Sequence, residues 1–352
     1  MKRISVLSLF VVLLGSCGPS GQKEQKDQSR SKSENNSVET PKKKELSPEA
    51  DSVFQEINER IRNDINNPDL YLERSRLYEL VDDEKAAVAD INRALSIDST
   101  YLNTMIAQAE FLIKRGELKT SLSILEYAKK LHPEASVVYT KMSELYLVAR
   151  NFQKSLENAD LAVKHDKFNA KAYYLKGYNF VEMGDTSRAI SSYQTAVEQN
   201  PEDFESYMQL GLIHAAQDDP LALDYLKNAL NVRPESQEAK YAIGMYQQEH
   251  EMYNEAMKTY TQAIKKHPNF KEAHYNLGYV LMYYLQLYRD ATHHFTDAIK
   301  IDPAYYQAYY NRGYCFELMG DINNAEKDYR KALEIQPDYD LAAKGLSRLT
   351  EK

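Results

Sequence analysis

The side chains that could do chemistry in this 352-residue chain are eight histidines, two cysteines and 52 carboxylates, and their spacing supports very little of it. No Gly-x-Ser-x-Gly elbow and no His-Glu-x-x-His helix occurs. None of the twelve glycines sits in a phosphate-cradling loop. His132 and His267 each precede a proline, and His165 stands near the same kind of turn. His293 and His294 are chain neighbours, so on a helix they point to different sides and make a poor metal pair. Cys17 and Cys315 are too few for a disulfide framework or a four-thiolate zinc site. We therefore expect no catalytic residues, no metal and no cofactor, and a protein that is not an enzyme. Lys and Arg number 44, giving a net charge of −8, which leaves no electrostatic footprint for nucleic acid. Only 12 Gly and 11 Pro punctuate the chain, as long helical segments with short turns require.

One cysteine does have chemistry available. Lys2 and Arg3 precede a mostly apolar run from Ile4 to Leu14, then Leu14-Gly15-Ser16-Cys17. The run is too short to span a bilayer and reads as a secretory signal segment over 1–17. Its ending resembles a bacterial lipobox, which implies cleavage before Cys17 and lipidation of that residue. More than one acyl chain gives stable anchoring where a single chain is marginal. Gly18 follows, where the better-known Gram-negative sorting rule would need Asp for inner-membrane retention, so the resemblance favours the outer membrane. Residues 18–45 hold one aliphatic side chain, Val38, and cannot offset their ordering entropy. They form a tether with an r.m.s. span of roughly 30 Å, and Lys42-Lys43-Lys44 reads as a solvated linker charge run, with contact to anionic lipid as the alternative.

Beyond Pro68 the chain repeats. Gly177, Gly211, Gly244, Gly278 and Gly313 keep one frame of about 34 residues, and Pro201, Pro234, Pro268, Pro303 and Pro337 keep a second. Ala189, Ala222, Ala256, Ala291 and Ala325 keep a third, and Ala196, Ala229, Ala263, Ala298 and Ala332 a fourth. The pattern resembles the tetratricopeptide repeat (TPR), best in Tyr309, Gly313, Ala325, Tyr329, Ala332 and Pro337. Eight copies follow: 68–101, 102–135, 136–169, 170–203, 204–236, 237–270, 271–305 and 306–339. The first three are degenerate, with Ser75, Ala109 and Ser143 in place of the glycine. The fold class is all-α, and the resemblance implies a right-handed α-α superhelix of helix-turn-helix pairs.

Each copy is two amphipathic helices, A and B. The small residue at repeat position 8 is expected to let helix A approach the Ala at position 20, with aromatics at 4, 11 and 24 filling the remaining space. One hairpin cannot bury its face alone, so the copies must stack. Residues 46–67, with Val53, Phe54, Ile57 and Ile61 on one face, form an N-terminal cap helix, and 340–352 a C-terminal one. Repeat 5 is one residue short at Asp218-Asp219-Pro220. Repeat 7 has one residue too many in Met282 to Tyr288 and lacks a turn glycine.

The resemblance also implies which surface binds: helix A lines the concave face through positions 2, 5, 9, 12 and 13. Positions 5 and 9 read Tyr174 and Tyr178, Met208 and Leu212, Tyr241 and Met245, Tyr275 and Tyr279, Tyr310 and Tyr314. Met282 and Tyr283 follow in repeat 7, and Glu205, Glu238 and Glu272 add an acidic rail at position 2. Such a Tyr and Met surface suits adaptable recognition. Position-5 tyrosines also pack their own helix in ordinary repeats, so binding surface and packing filler both stand. The Lys/Asn/Arg clamp that chaperone-binding members use is absent, since positions 5 and 9 of the first repeat are Leu72 and Arg76. The expected protein is a lipid-anchored, extracytoplasmic scaffold or adaptor of the bacterial envelope that binds a protein or peptide segment, apolar with basic residues, and touches the membrane through its anchor. A glycan binder using Tyr stacking is the alternative, with the absence of Trp against it. Cys17→Ser should abolish lipidation and release soluble protein or leave a precursor; mature lipidated protein in the membrane fraction of that variant would refute the anchor.

Overall fold

The computed structural model describes residues 48–350; the signal segment with Cys17 and the tether 18–45 lie outside them. Among the described residues eighteen α-helices form a succession of antiparallel pairs flanked by single helices. Helix α1, Pro48–Asn63, precedes four pairs: α2 Pro68–Leu80 with α3 Glu84–Ile97, α4 Leu102–Lys114 with α5 Leu118–Leu131, α6 Ser136–Val148 with α7 Phe152–His165, and α8 Ala170–Glu182 with α9 Thr186–Gln199. These make up a first compact unit that ends at Asn200. The second unit, from Pro201, holds α10 Phe204–Ala216 with α11 Leu221–Val232, α12 Gln237–Glu249 with α13 Tyr253–Lys266, α14 Lys271–Tyr279 with α15 Tyr288–Ile301, and α16 Tyr306–Leu318 with α17 Ile322–Ile335. Helix α18, Asp340–Thr350, closes it. No described helix is long and apolar enough to cross a membrane.

The close contact inside the pairs with a glycine at position 8 involves a residue besides the alanine at position 20. The missing side chain of the glycine at position 8 leaves room for the large side chain at position 24. A Cβ on Gly177 would stand 2.6 Å from the Tyr193 ring, on Gly244 2.5 Å from Tyr260, and on Gly278 2.9 Å from Phe295. Tyr193, Tyr260, Phe295 and Tyr329 are completely buried, so each ring is gripped from all sides. Where position 8 gains a side chain, position 24 shrinks: Ala109 pairs with Leu125 and Ser143 with Ala159, all buried. In those two repeats position 20 becomes serine, and Ser121 and Ser155 donate their hydroxyls back to the carbonyls of Ala109 and Ser143 at 2.9 Å. The serines thus satisfy themselves inside the core. The degenerate repeats are a second solution to the same packing problem.

Every turn from A to B passes through one residue in the left-handed region. Gly116, Gly184 and Gly320 supply it at φ +75°, +77° and +81°, while Asp82, Arg150, Asp218, Glu251 and Gln286 adopt φ between 55° and 60°. The turn closes by an amide reaching back five residues, as from Asp185 to the Phe180 carbonyl at 2.8 Å, which is a Schellman-type stop. Asp83, Asn151, Asp185 and Asp321 then cap the B helices through their side chains. In repeat 7 the extra residue is absorbed before the turn. Val280–Tyr284 is a π-helical segment, and the closing bond from Leu287 reaches back six residues to Leu281 at 2.8 Å.

The flanking helices continue the packing scheme. Arg74 grips Asp90 with two hydrogen bonds of 2.7 Å and reaches Asn58 of α1 at 2.6 Å. Arg312 does the same at the other end, with Asp328 at 2.7 and 2.8 Å and Thr296 at 3.0 Å. Asn58 precedes Arg74 by the same 16 residues that separate Thr296 from Arg312, so α1 occupies the place of a B helix. Forked, partly buried Arg–carboxylate pairs are among the stronger ion pairs. Gly244→Ala should cost about 1–3 kcal/mol, because the buried Tyr260 ring has nowhere to move; an unchanged urea midpoint would contradict the contact.

Candidate functional site

In the first unit the exposed side of the A helices is a chain of charges. Lys141 bridges Glu110 and, at 2.8 Å, Glu144; Lys171 approaches Glu144 at 3.9 Å. Lys114 pairs with Glu79, and Arg150 with Glu182 at 3.9 Å. Burial works against the charge on Lys141, but Glu144 and Glu110 outweigh it and raise its pKa. Tyr174 and Tyr178 stand on α8 at the end of this unit. Tyr174 packs on Tyr193 with centroids 5.8 Å apart, and Lys171 lies over its face at 4.5 Å. Tyr178 is half-buried, and its phenol pKa is raised by burial and by neighbouring Glu182.

In the second unit the position-5 and position-9 residues separate into two roles. Met208 and Leu212 are buried, at 5% and 1% exposure, so they are core side chains of α10 and do not face a groove. Position 5 packs inward as well. Tyr241 stands against Tyr260 and Phe270, Tyr275 against Phe295 and Tyr305, and Tyr310 against Tyr329, with centroids between 4.9 and 6.5 Å. The next repeat then holds the phenol. Asn311 donates to the Tyr275 hydroxyl at 2.9 Å, and Asn276 bonds the Tyr241 phenol while approaching the Met245 sulfur at 3.1 Å. Burial raises the pKa of Tyr241 and Tyr275. These two rings join one repeat to the next.

Position 9 of repeats 6, 7 and 8 remains at the surface. Tyr279 stacks on Tyr283 with centroids 5.5 Å apart and planes 9° apart, and Tyr314 stacks on Tyr310 at 6.3 Å under the Arg348 guanidinium at 5.7 Å. Both are half-buried, as is Met245, and Tyr283 is 44% exposed. The π-helical segment creates this ledge. The added residue turns Tyr283 outward and Met282 inward to 4% exposure, while Tyr284 stacks on Tyr253 at 4.1 Å. Burial, with Tyr279 and Tyr253 nearby, pushes the Tyr284 phenol up to about 12. Tyr279 is raised by burial, then by Tyr283 and by Tyr310 of the following repeat, so the ledge extends across the repeat boundary.

The acidic row at position 2 is less bare than its sequence suggested. Glu205 is bonded by Arg233 at 2.7 Å, and Glu272 lies 3.9 Å from Lys271, which is itself held by Asp302 at 2.6 Å. Glu238 is exposed and accepts only the Ser236 hydroxyl at 2.8 Å among the bonds identified for it. Position-based reading had no means of seeing Arg233, which comes from the end of a B helix. The interlocking asparagines at position 6 were also missed, although Asn276 and Asn311 share one frame.

With this geometry in view, the comparisons with known proteins are informative. A tetratricopeptide repeat model matches residues 306–339, and a TPR repeat model matches 177–218 and 251–282. The C-terminal part of a TPR repeat-containing protein from Cytophaga hutchinsonii superposes with a TM-score of 0.58 at 16% identity, covering 68% of this chain and 99% of that one. The APC/C hetero-tetramer Cut9–Hcn1 gives 0.52 at 18% identity over 79% and 56%. Residues 177–218, 251–282 and 306–339 thus match tetratricopeptide-repeat models, and the described residues form an all-α succession of helix-turn-helix pairs consistent with a TPR superhelix. Among curated proteins it is similar to the BBSome complex member BBS4 of Bos taurus, 28% identical over 44% of this chain and 30% of that protein. It is also similar to the TPR repeat-containing protein YpiA of Bacillus subtilis, 20% identical over 46% and 38%. The matches thus span well under half the length of these relatives.

Among the described residues no group of three or more His, Cys, Asp or Glu side chains is arranged to hold a metal ion. Cys315 is free, fully buried on α16, and burial pushes its thiol up to about 12. A thiol so protected is a packing residue. In a Cys17→Ser background it should resist iodoacetamide until the protein is denatured; rapid labelling of the folded chain would show the second unit opening locally.

Proposed function

We propose that this chain is a non-catalytic scaffold that binds a protein or peptide segment through the tyrosine ledge of its second unit, and that a lipid on Cys17 holds it at the bacterial envelope, on the outer membrane. The observation that carries the binding reading is that Tyr279, Tyr283 and Tyr314 are partly exposed yet already fixed by ring contacts. Aromatic side chains held this way lose little freedom on binding and offer large apolar faces. Complex membership in the names of two similar proteins, the BBSome member and the APC/C tetramer, supports an assembly role. The partner segment carries apolar side chains and at least one Lys or Arg. A cation over a tyrosine face contributes about 0.5–2 kcal/mol. Glu238 and Glu272 set encounter rate and choice of partner, and their effect weakens with salt.

Crosslinking and capture from solubilised envelopes identifies the partner. Replacing Tyr279 and Tyr314 together by Ala should then weaken its binding at least about tenfold, with helicity by circular dichroism near wild type. Lys258→Ala, on an exposed position of α13, should do little. Full binding with full helicity in the double variant would place the partner elsewhere. Selective retention on a glycan array, with no protein captured, would favour tyrosine stacking on sugars instead.

A further inference from the structure

Position 4 of a repeat has a fixed structural task. Tyr71 donates its hydroxyl to the Ile65 carbonyl at 3.0 Å, and Tyr139 donates to the Pro133 carbonyl at 2.7 Å, each reaching back six residues to the preceding turn. His274 takes over that task in repeat 7, with Nε2 3.1 Å from the Pro268 carbonyl. A carbonyl only accepts, so Nε2 carries the proton and Nδ1 keeps its lone pair. A tyrosine is satisfied by this one bond. The imidazole has a second nitrogen left over, and it is buried without a hydrogen-bond partner in a side chain only 6% exposed.

A second orphan lies beside it. His294 of α15 stands with its ring centroid 5.9 Å from that of His274, the planes 40° apart, and its own Nδ1 is also buried without a partner. The two residues are twenty apart in sequence and come from facing helices of one repeat. Two buried imidazole nitrogens without partners, on neighbouring rings, are costly. A shared divalent ion would relieve both. Metal–nitrogen bonds of about 2.0–2.1 Å place the centroids of two rings on one ion roughly 5–6 Å apart. A backbone carbonyl on the far nitrogen is also the usual way a metal-binding histidine is oriented.

We propose that His274 Nδ1 and His294 Nδ1 form a two-histidine site for a borderline divalent cation of the Zn(II), Ni(II) or Cu(II) class. Imidazole suits these ions. Asp297, one turn beyond His294, is paired with Lys300 at 2.8 Å and is not counted among the ligands. Occupancy would tie α14 to α15 beside the π-helical segment that carries Tyr283.

The test is calorimetric titration of Zn(II), Ni(II) and Cu(II) into tag-free, chelator-stripped full chain, with circular dichroism as the fold check. One equivalent should bind the wild type. His274→Tyr keeps the donor to the Pro268 carbonyl, as Tyr71 and Tyr139 do, and removes only the ligand. It should weaken binding at least about tenfold, as should His294→Gln, while His293→Gln on the exposed neighbour leaves it unchanged. Electron paramagnetic resonance of the wild-type Cu(II) form should show coupling to two imidazole nitrogens, a readout that depends on no variant. Absence of stoichiometric uptake, full binding in His274→Tyr, or equal loss in His293→Gln would each overturn the site.

Discussion

The approach of a bare backbone at position 8 to a large buried ring at position 24 sets the geometry of the pairs with that arrangement. Helix A can lie this close to helix B only where no side chain intervenes, and the ring then fills the space that remains. In Gly177 against Tyr193 and Gly244 against Tyr260, a Cβ would fall well inside contact distance. The ring is therefore the largest object the pair can hold, and the glycine is the condition for holding it. Protein interiors are packed densely enough that volume on one side must be matched by loss on the other. The first unit shows this where Ala109 faces Leu125 and Ser143 faces Ala159.

With the pair fixed, the turn has little choice. A helix that must reverse within a few residues needs one residue with positive φ, and all eight turns have one. Glycine does this without strain, yet five turns use Asp, Arg, Glu or Gln. Left-handed geometry costs such a residue about 1–2 kcal/mol, which the buried rings and capped B helices offset. The added residue of repeat 7 could have lengthened this turn. It widens the last turn of helix A instead, so the closing bond still forms, one residue longer. Insertion is absorbed where the chain can still satisfy its amides, and the side effect is an outward tyrosine.

The frame of the repeats was legible because it is written in residues with narrow tolerances: Gly at 8, Ala at 20 and 27, Pro at 32. Helix A of each pair begins at the first residue of its frame, from Pro68 to Tyr306. What the frame could not convey was which atoms meet across it. The partner of Gly177 is set by the tilt between two helices, and that angle is not in the spacing. Burial of Met208 and Leu212 was hidden for a related reason. Position 5 and position 9 border both groove and core, and the short turn of repeat 5 accompanies two apolar side chains that lie inside. Arg233 beside Glu205, and His274 beside His294, join residues whose separation in sequence corresponds to no helical period.

The same division explains how one scaffold can carry two surface chemistries. Positions 8, 20, 24 and 27 hold the pair together, and Tyr241 and Tyr275 at position 5 lock repeats 6 and 7 to the next through a phenol and an asparagine. Outside repeat 5, position 9 is then released from structural duty. In the first unit it carries Glu110 and Glu144, which are neutralised by Lys141 and Lys171. Lys141, partly buried between Glu110 and Glu144, already satisfies both carboxylates, which leaves little for a partner. In the second unit it carries Tyr279 and Tyr314, whose faces are only half used by their stacking neighbours. Covering apolar area yields about 25 cal/mol per Å², so a tyrosine pair offers a newcomer more than an already satisfied salt bridge does. The exposed ledge sits on the one turn where the repeat length departs upward from its period.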